Sequence, residues 1–390
     1  MFCRFNGGNR RVAICVIAKN NARKYDDMRN RSALFTLLLI LAAHAAFTQK
    51  YSNEFLAIGV GARAHGMGWA QTALASDVNA AYWNPAGLTH IEAPLELSAM
   101  HAEWFAGVAQ YDYIGFAKPL NSEKGAVLAL SVIRFGIDRI PYTLNLIGPD
   151  GAVNYDQVSE FSAADYAVLM SYARQLRNPN LSVGGSFKVV RRVIGSFGSS
   201  WGFGADLGLQ YRKGPWMLGV QGYDLTTTFN AWSFSLTERE KQTFLNTDNE
   251  VPVNSIEITR PRLVLGAAYQ ARISEKVTLL PALDMVWTTD GQRNTLISSR
   301  SFNMDPRVGI EADYDRFVQL RVGVANVQRV KDDFNPDKER ISIQPNLGVG
   351  LRIGRAQLDY ALNNIGNVAE VRYSHIVSFR LGFRGRKSES

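Results

Sequence analysis

The sequence predicts an all-β fold: a transmembrane antiparallel β-barrel of about fourteen strands with an N-terminal plug, or hatch, inside it. Three observations carry that prediction. Beyond about residue 94 the chain falls into runs of about ten residues that alternate apolar and polar side chains, the period-2 rhythm of strands. The links between these runs alternate between tight turns and long polar loops. The chain also begins with the elements of an export signal.

The export signal comes first in chain order. Met28-Arg29-Asn30-Arg31 precedes an apolar run from Ser32 to Leu41, and Ala43-His44-Ala45 follows. A basic region, a short apolar region and an A-x-A site together read as a secretory signal peptide, cleaved between Ala45 and Gln49. The apolar run is shorter than the ~20 residues that a membrane-spanning helix needs. Residues 1–27 are expected to be a dispensable extension with Met28 as the true start, and residues 28–49 to be the signal. Cys3 and Cys15 both lie in the removed part, so the mature chain has no thiol chemistry. Residues 1–45 hold eight Lys or Arg and two Asp or Glu. The remainder carries 35 basic against 33 acidic residues, only +2, so the overall net charge of +8 does not point to nucleic acid or another anionic partner. At 46% hydrophobic and 20% charged residues, disorder is excluded. No other segment has the length and apolarity of a transmembrane helix, which leaves a soluble exported protein or a barrel.

Residues 50–93 are read as the plug. They are rich in glycine (Gly59, Gly61, Gly66, Gly68) and show no sustained alternation. A short helix is expected from about Ala70 to Ala81, broken at Asn84-Pro85, because proline disfavours helix for the residue before it and donates no backbone hydrogen bond. A fourteen-stranded barrel has a lumen wide enough to need such a filling if it is not to be an open pore.

The barrel is expected over 94–384, with a tail at 385–390. Its strands are expected at Leu95–Trp104, Tyr111–Pro119, Ala126–Ile137, Ala164–Leu176, Leu181–Arg192, Trp201–Arg212 and Trp216–Tyr223. The second half adds Arg262–Arg272, Lys276–Trp287, Arg307–Tyr314, Phe317–Asn326, Ile343–Ile353, Ala356–Leu362 and Arg372–Phe383. Tight links such as Lys213-Gly-Pro215, Asp315-Arg316 and Gly354-Arg355 carry hairpin-turn chemistry. Long links at 138–163, 193–200, 224–261, 288–306, 327–342 and 363–371 carry the other rim. Short turns on one side and long loops on the other describe an outer-membrane barrel with both termini in the periplasm. In "QLRVGVA", Leu320, Val322 and Val324 face opposite Gln319, Arg321 and Gly323, which suits lipid outside and a polar lumen. "AVLALSVIRFG" departs from this, being apolar on both faces. Aromatic residues near strand ends, among them Trp201, Trp216 and Trp287, fit interfacial girdles. A propeller is disfavoured because no repeat of 40–50 residues is present.

The plug sequence "GVGARAHGMGWAQTALASDVNAAYWNPAGL" resembles the N-terminal signature of the PorV/PorQ family of Bacteroidetes outer-membrane proteins. The matching residues are Gly61, Ala62, Arg63, Gly66, Met67, Gly68, Ala70, Asp77, Ala80, Trp83, Asn84, Pro85, Ala86, Gly87 and Leu88. That family is related to the FadL-type transporters of hydrophobic compounds, whose hatch carries Asn-Pro-Ala. The final strand resembles a barrel C-terminal signal ending in an aromatic, except that seven residues follow Phe383. The resemblance implies two roles. PorV-like members serve type IX protein secretion: they take secreted cargo with C-terminal signal domains from the translocon to a surface attachment complex. FadL-like members pass hydrophobic small molecules through hatch and wall. The secretion role is the principal expectation and the hydrophobic-solute channel the alternative. An apolar pocket behind the hatch, with an opening in the barrel wall, would favour the alternative.

Asp77, Trp83, Asn84, Pro85, Ala86 and Gly87 are the candidate hatch residues, as gate or as structural turn. Asp77 is expected to cap a turn or to pair with Arg63. In the loop 224–261, Phe229, Trp232, Phe234 and Phe244 are candidate partner-binding anchors, or else fold the loop over its own barrel mouth. His44, His65, His90, His101 and His375 are not spaced as metal ligands. No nucleophile elbow, phosphate-binding loop or paired catalytic carboxylate is recognisable, so no enzymatic activity, metal or cofactor is expected.

Overall fold

A computed structural model describes residues 52–104, 107–120, 125–146, 152–331, 339–363 and 374–383. The signal-peptide reading, the chain extension before it and the C-terminal tail lie outside these residues. Fourteen long strands form the wall. They are β1 (Glu96–Trp104), β2 (Ala109–Pro119), β3 (Val127–Tyr142), β4 (Ser159–Gln175), β5 (Leu181–Ile194), β6 (Gly198–Lys213) and β7 (Trp216–Tyr223). The second half supplies β8 (Arg262–Tyr269), β9 (Val277–Thr288), β10 (Asn303–Tyr314), β11 (Val318–Lys331), β12 (Glu339–Ile353), β13 (Ala356–Asn363) and β14 (Ser374–Gly382). Each pairs antiparallel with its successor, and β14 closes on β1 from Glu96↔Gly382 to Glu103↔His375. The fourteen expected strands and the closed barrel are therefore what the chain forms.

The turns explain the short rim. Asp315 and Arg316 both have positive φ (52° and 55°), the conformation of a two-residue hairpin matched to strand twist. The opposite rim is taller and more irregular. Bulges with positive-φ residues interrupt β3 at Arg139 and β11 at Asn326. The loop 224–261 is itself folded. Phe229–Phe234 pairs with Ser255–Ile258 and continues the wall along β6, from Gly198↔Phe234 to Phe203↔Phe229. Between those two strands lies a helix, Glu238–Asn246, started by a capping box of Thr237 and Glu240.

The alternation of burial along the strands separates two environments. Outward positions such as Leu320, Val322, Leu347 and Val349 are exposed aliphatics, while Gln319, Arg321 and Asn346 point inward and are buried. A closed wall with an apolar exterior meets the bilayer's demand that every backbone polar group be bonded internally. The strand β3 is apolar on both faces because its inward side does not face water: Val127, Ala129 and Ile133 belong to one buried cluster with Val78, Ala81 and Leu88 of the segment inside the lumen.

Candidate functional site: the hatch in the lumen

Residues 52–93 occupy the barrel lumen and are almost wholly buried. They contain two short helices, α1 (Ala62–Gly66) and α2 (Ala80–Trp83), and 3-10 turns at Glu54–Ala57 and Pro85–His90. The helix expected over 70–81 is not formed. Its backbone groups are taken by the wall instead. Gln71 N and Thr72 N donate to Asp284 of β9 at 3.0 and 2.9 Å. Gln210 of β6 donates to Thr72 O and Ala75 O at 3.1 and 2.9 Å, and Arg212 donates to the carbonyls of Ala73, Leu74 and Ala75. Once the donors and acceptors of a segment are satisfied by buried side chains, helical bonding has nothing left to contribute there.

Asn84 is the best-connected of the candidate hatch residues. It is fully buried and extended (φ −165°, ψ 100°). Its Nδ2 donates to Thr72 O at 2.9 Å and to Leu209 O of β6 at 3.0 Å, while its Oδ1 accepts from Ala86 N at 3.2 Å. One side chain thus caps the turn that Pro85 begins and ties it to both hatch and wall. Trp83 donates from Nε1 to Val60 O at 2.8 Å and packs edge-on to Tyr82. Gly87 lies so close to the hatch backbone that a Cβ there would be 2.1 Å from Ala75 O. Asp77 accepts from Asn79 N at 2.9 Å, closing a local turn, and its charge partner is Arg380 at 3.7 Å. Arg63 pairs elsewhere.

Two sets of residues that sequence reasoning passed over complete the hatch. The first is a collar of glycines on the inner wall: Gly184, Gly208, Gly219, Gly266, Gly309, Gly323 and Gly348. All seven meet hatch backbone or Asn84 closely enough that a Cβ would lie 2.0–3.0 Å from the nearest hatch atom. For Gly266, a Cβ would come within 2.8 Å of Thr72 Cβ and nearer still to the wall's own Asp284. Gly68 is confined from the hatch side by the same contact, with φ +58° and Val324 N of β11 at 2.7 Å from a would-be Cβ. The second set is a buried ionic cluster. Arg63 holds Glu311 of β10 with two bonds of 2.8 and 2.9 Å, Arg321 of β11 holds the same carboxylate at 2.6 Å, and Arg321 reaches Asp359 of β13 at 2.7 Å. Inward-facing glycines in strands were the available signal for the first, since a strand glycine often marks close backbone approach. Nothing local marks the second, whose members are far apart in sequence.

His65 sits where α1 meets the wall. Its Nδ1 accepts from Trp69 Nε1 at 3.1 Å and lies 2.7 Å from Asn363 Nδ2, and its Nε2 lies 3.2 Å from Gly59 O. This pattern fixes the neutral tautomer with hydrogen on Nε2. Burial pushes the imidazole down to about 4.

Clefts remain on both sides of the hatch. On the long-loop side a cavity of about 610 Å³ is lined by Trp69, Val286, Arg262, Arg307 and Asp305, among others. On the short-turn side two cavities of about 520 and 530 Å³ meet at Arg63, Ser76 and Arg352. These linings are mainly polar. The wall shows hydrogen-bonded pairing between every neighbouring pair of strands. None of these three cavities is the apolar pocket expected behind the hatch, and the strand pairing shows no break between neighbouring strands among the described residues.

The four aromatic residues of the loop 224–261 are not one exposed cluster. Trp232 is buried, stacked on Phe234 at 5.6 Å, with Arg192 over its ring at 5.2 Å. Phe229 lies on the outer face against Phe203, and Phe244 is half-buried on the helix. That helix is tied to the chain beyond β3 by Thr243 Oγ1 donating to Leu144 O at 3.0 Å. The exposed apolar side chains of this lobe include Leu245, Val253 and Ile256, with Leu225 and Phe229 nearer the wall.

No family model matches the chain, and no curated protein matches it. Its fold is similar to that of several solved structures. The Pseudomonas putida toluene transporter TodX aligns at 13% identity with a TM-score of 0.52, over 86% of this chain and all of that one. The Ralstonia pickettii toluene transporter TbuX aligns at 13% identity and 0.50, over 84% and 99%. A Pseudomonas aeruginosa FadL homologue aligns at 12% identity and 0.50, over 83% and 98%. At such identities the likeness speaks to architecture alone, and the architecture is plain: this chain folds as a FadL-like barrel of the outer-membrane type, closed by fourteen strands and filled by a hatch.

Proposed function

We propose that this protein is an outer-membrane channel for small hydrophobic solutes in a Gram-negative bacterium, with the hatch as its gate. The long-loop rim faces outward, and the short turns and both termini face the periplasm. Residues 28–49, as a removed export signal, belong to the same reading. The observation that carries it is a lumen closed by a hatch, with a cleft of about 610 Å³ left on the long-loop side. That volume is the size of a small-molecule site. Trp69 and Val286 offer an apolar contact there and Arg262 and Arg307 a cationic one, which suits a solute with an apolar body and a polar or anionic head. The similar structures named as toluene transporters support the same reading. The test is uptake of labelled toluene and of a labelled fatty acid by cells lacking their own such channel. Expression of this chain should raise uptake, and Trp69→Arg should abolish the gain. Uptake no greater than in cells with an empty vector would sink the reading.

The secretion role of PorV/PorQ type is the second reading. What favours it is the folded lobe over 224–261, with Leu245, Val253 and Ile256 displayed to solvent. Its partners would be the type IX translocon, the attachment complex and secreted proteins with C-terminal signal domains. Recovery of those proteins with the tagged barrel from native outer membranes would support it. Recovery of the barrel alone with co-extracted hydrophobic compounds would leave the channel reading standing.

A further inference from the structure

One group of buried ionisable side chains makes no bond to the hatch. Lys188 of β5 lies between Asp206 of β6 and Asp224, the residue that follows β7. Its Nζ is 2.8 Å from Asp206 Oδ1 and 2.6 Å from Asp224 Oδ1. The three side chains are only 4%, 4% and 9% exposed, so water is excluded from between them. The strand register sets Lys188 opposite Gly204 and makes Asp206 its diagonal neighbour. A Cβ at Gly204 would lie 3.0 Å from Lys188 Cε, so the glycine leaves the room in which the lysine leans across to β6.

Asp224 addresses both partners at once. Its backbone N donates to Asp206 Oδ1 at 2.7 Å while its carboxylate faces the lysine and accepts from Thr228 Oγ1. A tight turn holds it there, closed by Thr227 N donating to Asp224 O at 2.8 Å. Asp224 and Thr227 both have positive φ, 55° and 59°. For a β-branched threonine that is a true outlier, and such strain concentrates where a side chain must be held for a task. An ion pair would need one carboxylate. Here one ammonium meets two, and among the described residues no other cation pairs with either. Buried charge without full compensation is costly. Condensing the lysine with one carboxylate would remove a charge of each sign and leave the other as it was.

We propose that Lys188 and Asp206 condense into an intramolecular isopeptide bond, with Asp224 as the proton carrier. A proton first passes from the ammonium to Asp206, giving an amine and a carboxylic acid at unchanged net charge. The amine lone pair attacks Asp206 Cγ, and the oxyanion forms on Oδ1, where the Asp224 N–H donates. Asp224 takes a second proton from the nitrogen and gives it to the departing hydroxyl. The C–N bond forms, the Cγ–Oδ2 bond breaks, one water leaves, and Asp224 is again a carboxylate. No oxidant or co-reactant is needed, and the fold supplies the proximity that makes the step unimolecular. The proposal is independent of what the barrel transports.

The test is mass spectrometry of digests of the full chain purified from outer membranes. The segments bearing Lys188 and Asp206 should be recovered as one branched peptide, lighter by one water. The link should be absent from chain kept unfolded in denaturant and should appear on refolding. Asp206→Asn should still form it, with loss of ammonia in place of water. Lys188→Arg keeps the charge and should give separate peptides, as should Asp224→Asn in barrels shown to be folded by heat-modifiable migration. Separate peptides of unmodified mass from the folded natural chain would overturn the proposal. So would a link from Lys188 to Asp224, or a link that forms undiminished in Asp224→Asn.

Discussion

The hatch is held differently on its two sides. Against β2–β4 it presents Val78, Ala81 and Leu88 to Tyr113, Ala129, Ile133 and Leu169, chiefly apolar contact in one cluster. Against β6–β12, and at Gly184 of β5, it meets the glycine collar, the carboxylate of Asp284, and the Arg63–Glu311–Arg321 cluster. Apolar packing is non-directional and tolerates small slides. Backbone pressed on backbone and charge paired to charge does not, because buried groups that lose a partner have no water to replace it. A hatch that moves should therefore hinge on its β6–β12 side and part from the wall on its β2–β4 side.

The collar is where that comparison breaks most completely. A side chain at Gly323 would begin 2.1 Å from Gly68 N, an overlap no rotamer relieves. Gly323→Leu should keep the hatch from seating, so that purified barrels show large open-pore currents in planar bilayers. Gly185, which points away from the hatch, has 3.4 Å of clearance, and Gly185→Ala should leave the currents closed. Currents unchanged in Gly323→Leu would mean that the hatch does not depend on the collar.

The two sides should then differ in kind when each is weakened. Removing one partner of a buried ion pair costs about 3–5 kcal/mol. Glu311→Gln, which strands Arg63 and leaves Arg321 with Asp359 alone, should release the whole hatch and expose it to added protease. Leu88→Ala removes buried apolar volume, about 2–5 kcal/mol in soluble cores. It should raise the frequency of brief openings while the hatch stays attached and protease-resistant. If both variants give the same protease pattern, the hinge is misplaced.

The barrel was legible in the sequence because its signals are local. Alternation, hairpin residues and the short–long rhythm of links placed all fourteen strands, including Trp216–Tyr223 to the residue. The hatch was less so. Its helix over 70–81 failed because Asp284, Gln210 and Arg212, more than 130 residues away, capture the backbone groups that a helix would use. Asn84-Pro85 marked a turn, but that Asn84 also bonds the wall at Leu209 depends on contacts no local pattern encodes. Phe229, Trp232, Phe234 and Phe244 looked like one patch because they are near in sequence. Strand pairing with β6 sends Phe229 outward and Trp232 inward instead.

His65 offers the finest test of the two-sided attachment, because it links α1 to Trp69 on one side and to Asn363 of β13 on the other. Its imidazole is held at about 4 with the hatch in place, against an ordinary value of 6.5. The seated hatch then binds fewer protons than the released one between these values. Its contribution is intact above pH 6.5 and declines as pH falls towards 4. At pH 5 the loss is about 2 kcal/mol, since each pH unit below the free value costs about 1.4 kcal/mol. Protonation would put a hydrogen on Nδ1 against the donors from Trp69 and Asn363, so the loosening should begin at α1, on the β11–β14 side. Hydrogen exchange at pH 5 and pH 7 should show lost protection first at residues 62–66, and His65→Gln should remove that pH dependence. Protection lost first at residues 80–90 would place the proton-sensitive contact on the apolar side instead and reverse the assignment of the hinge.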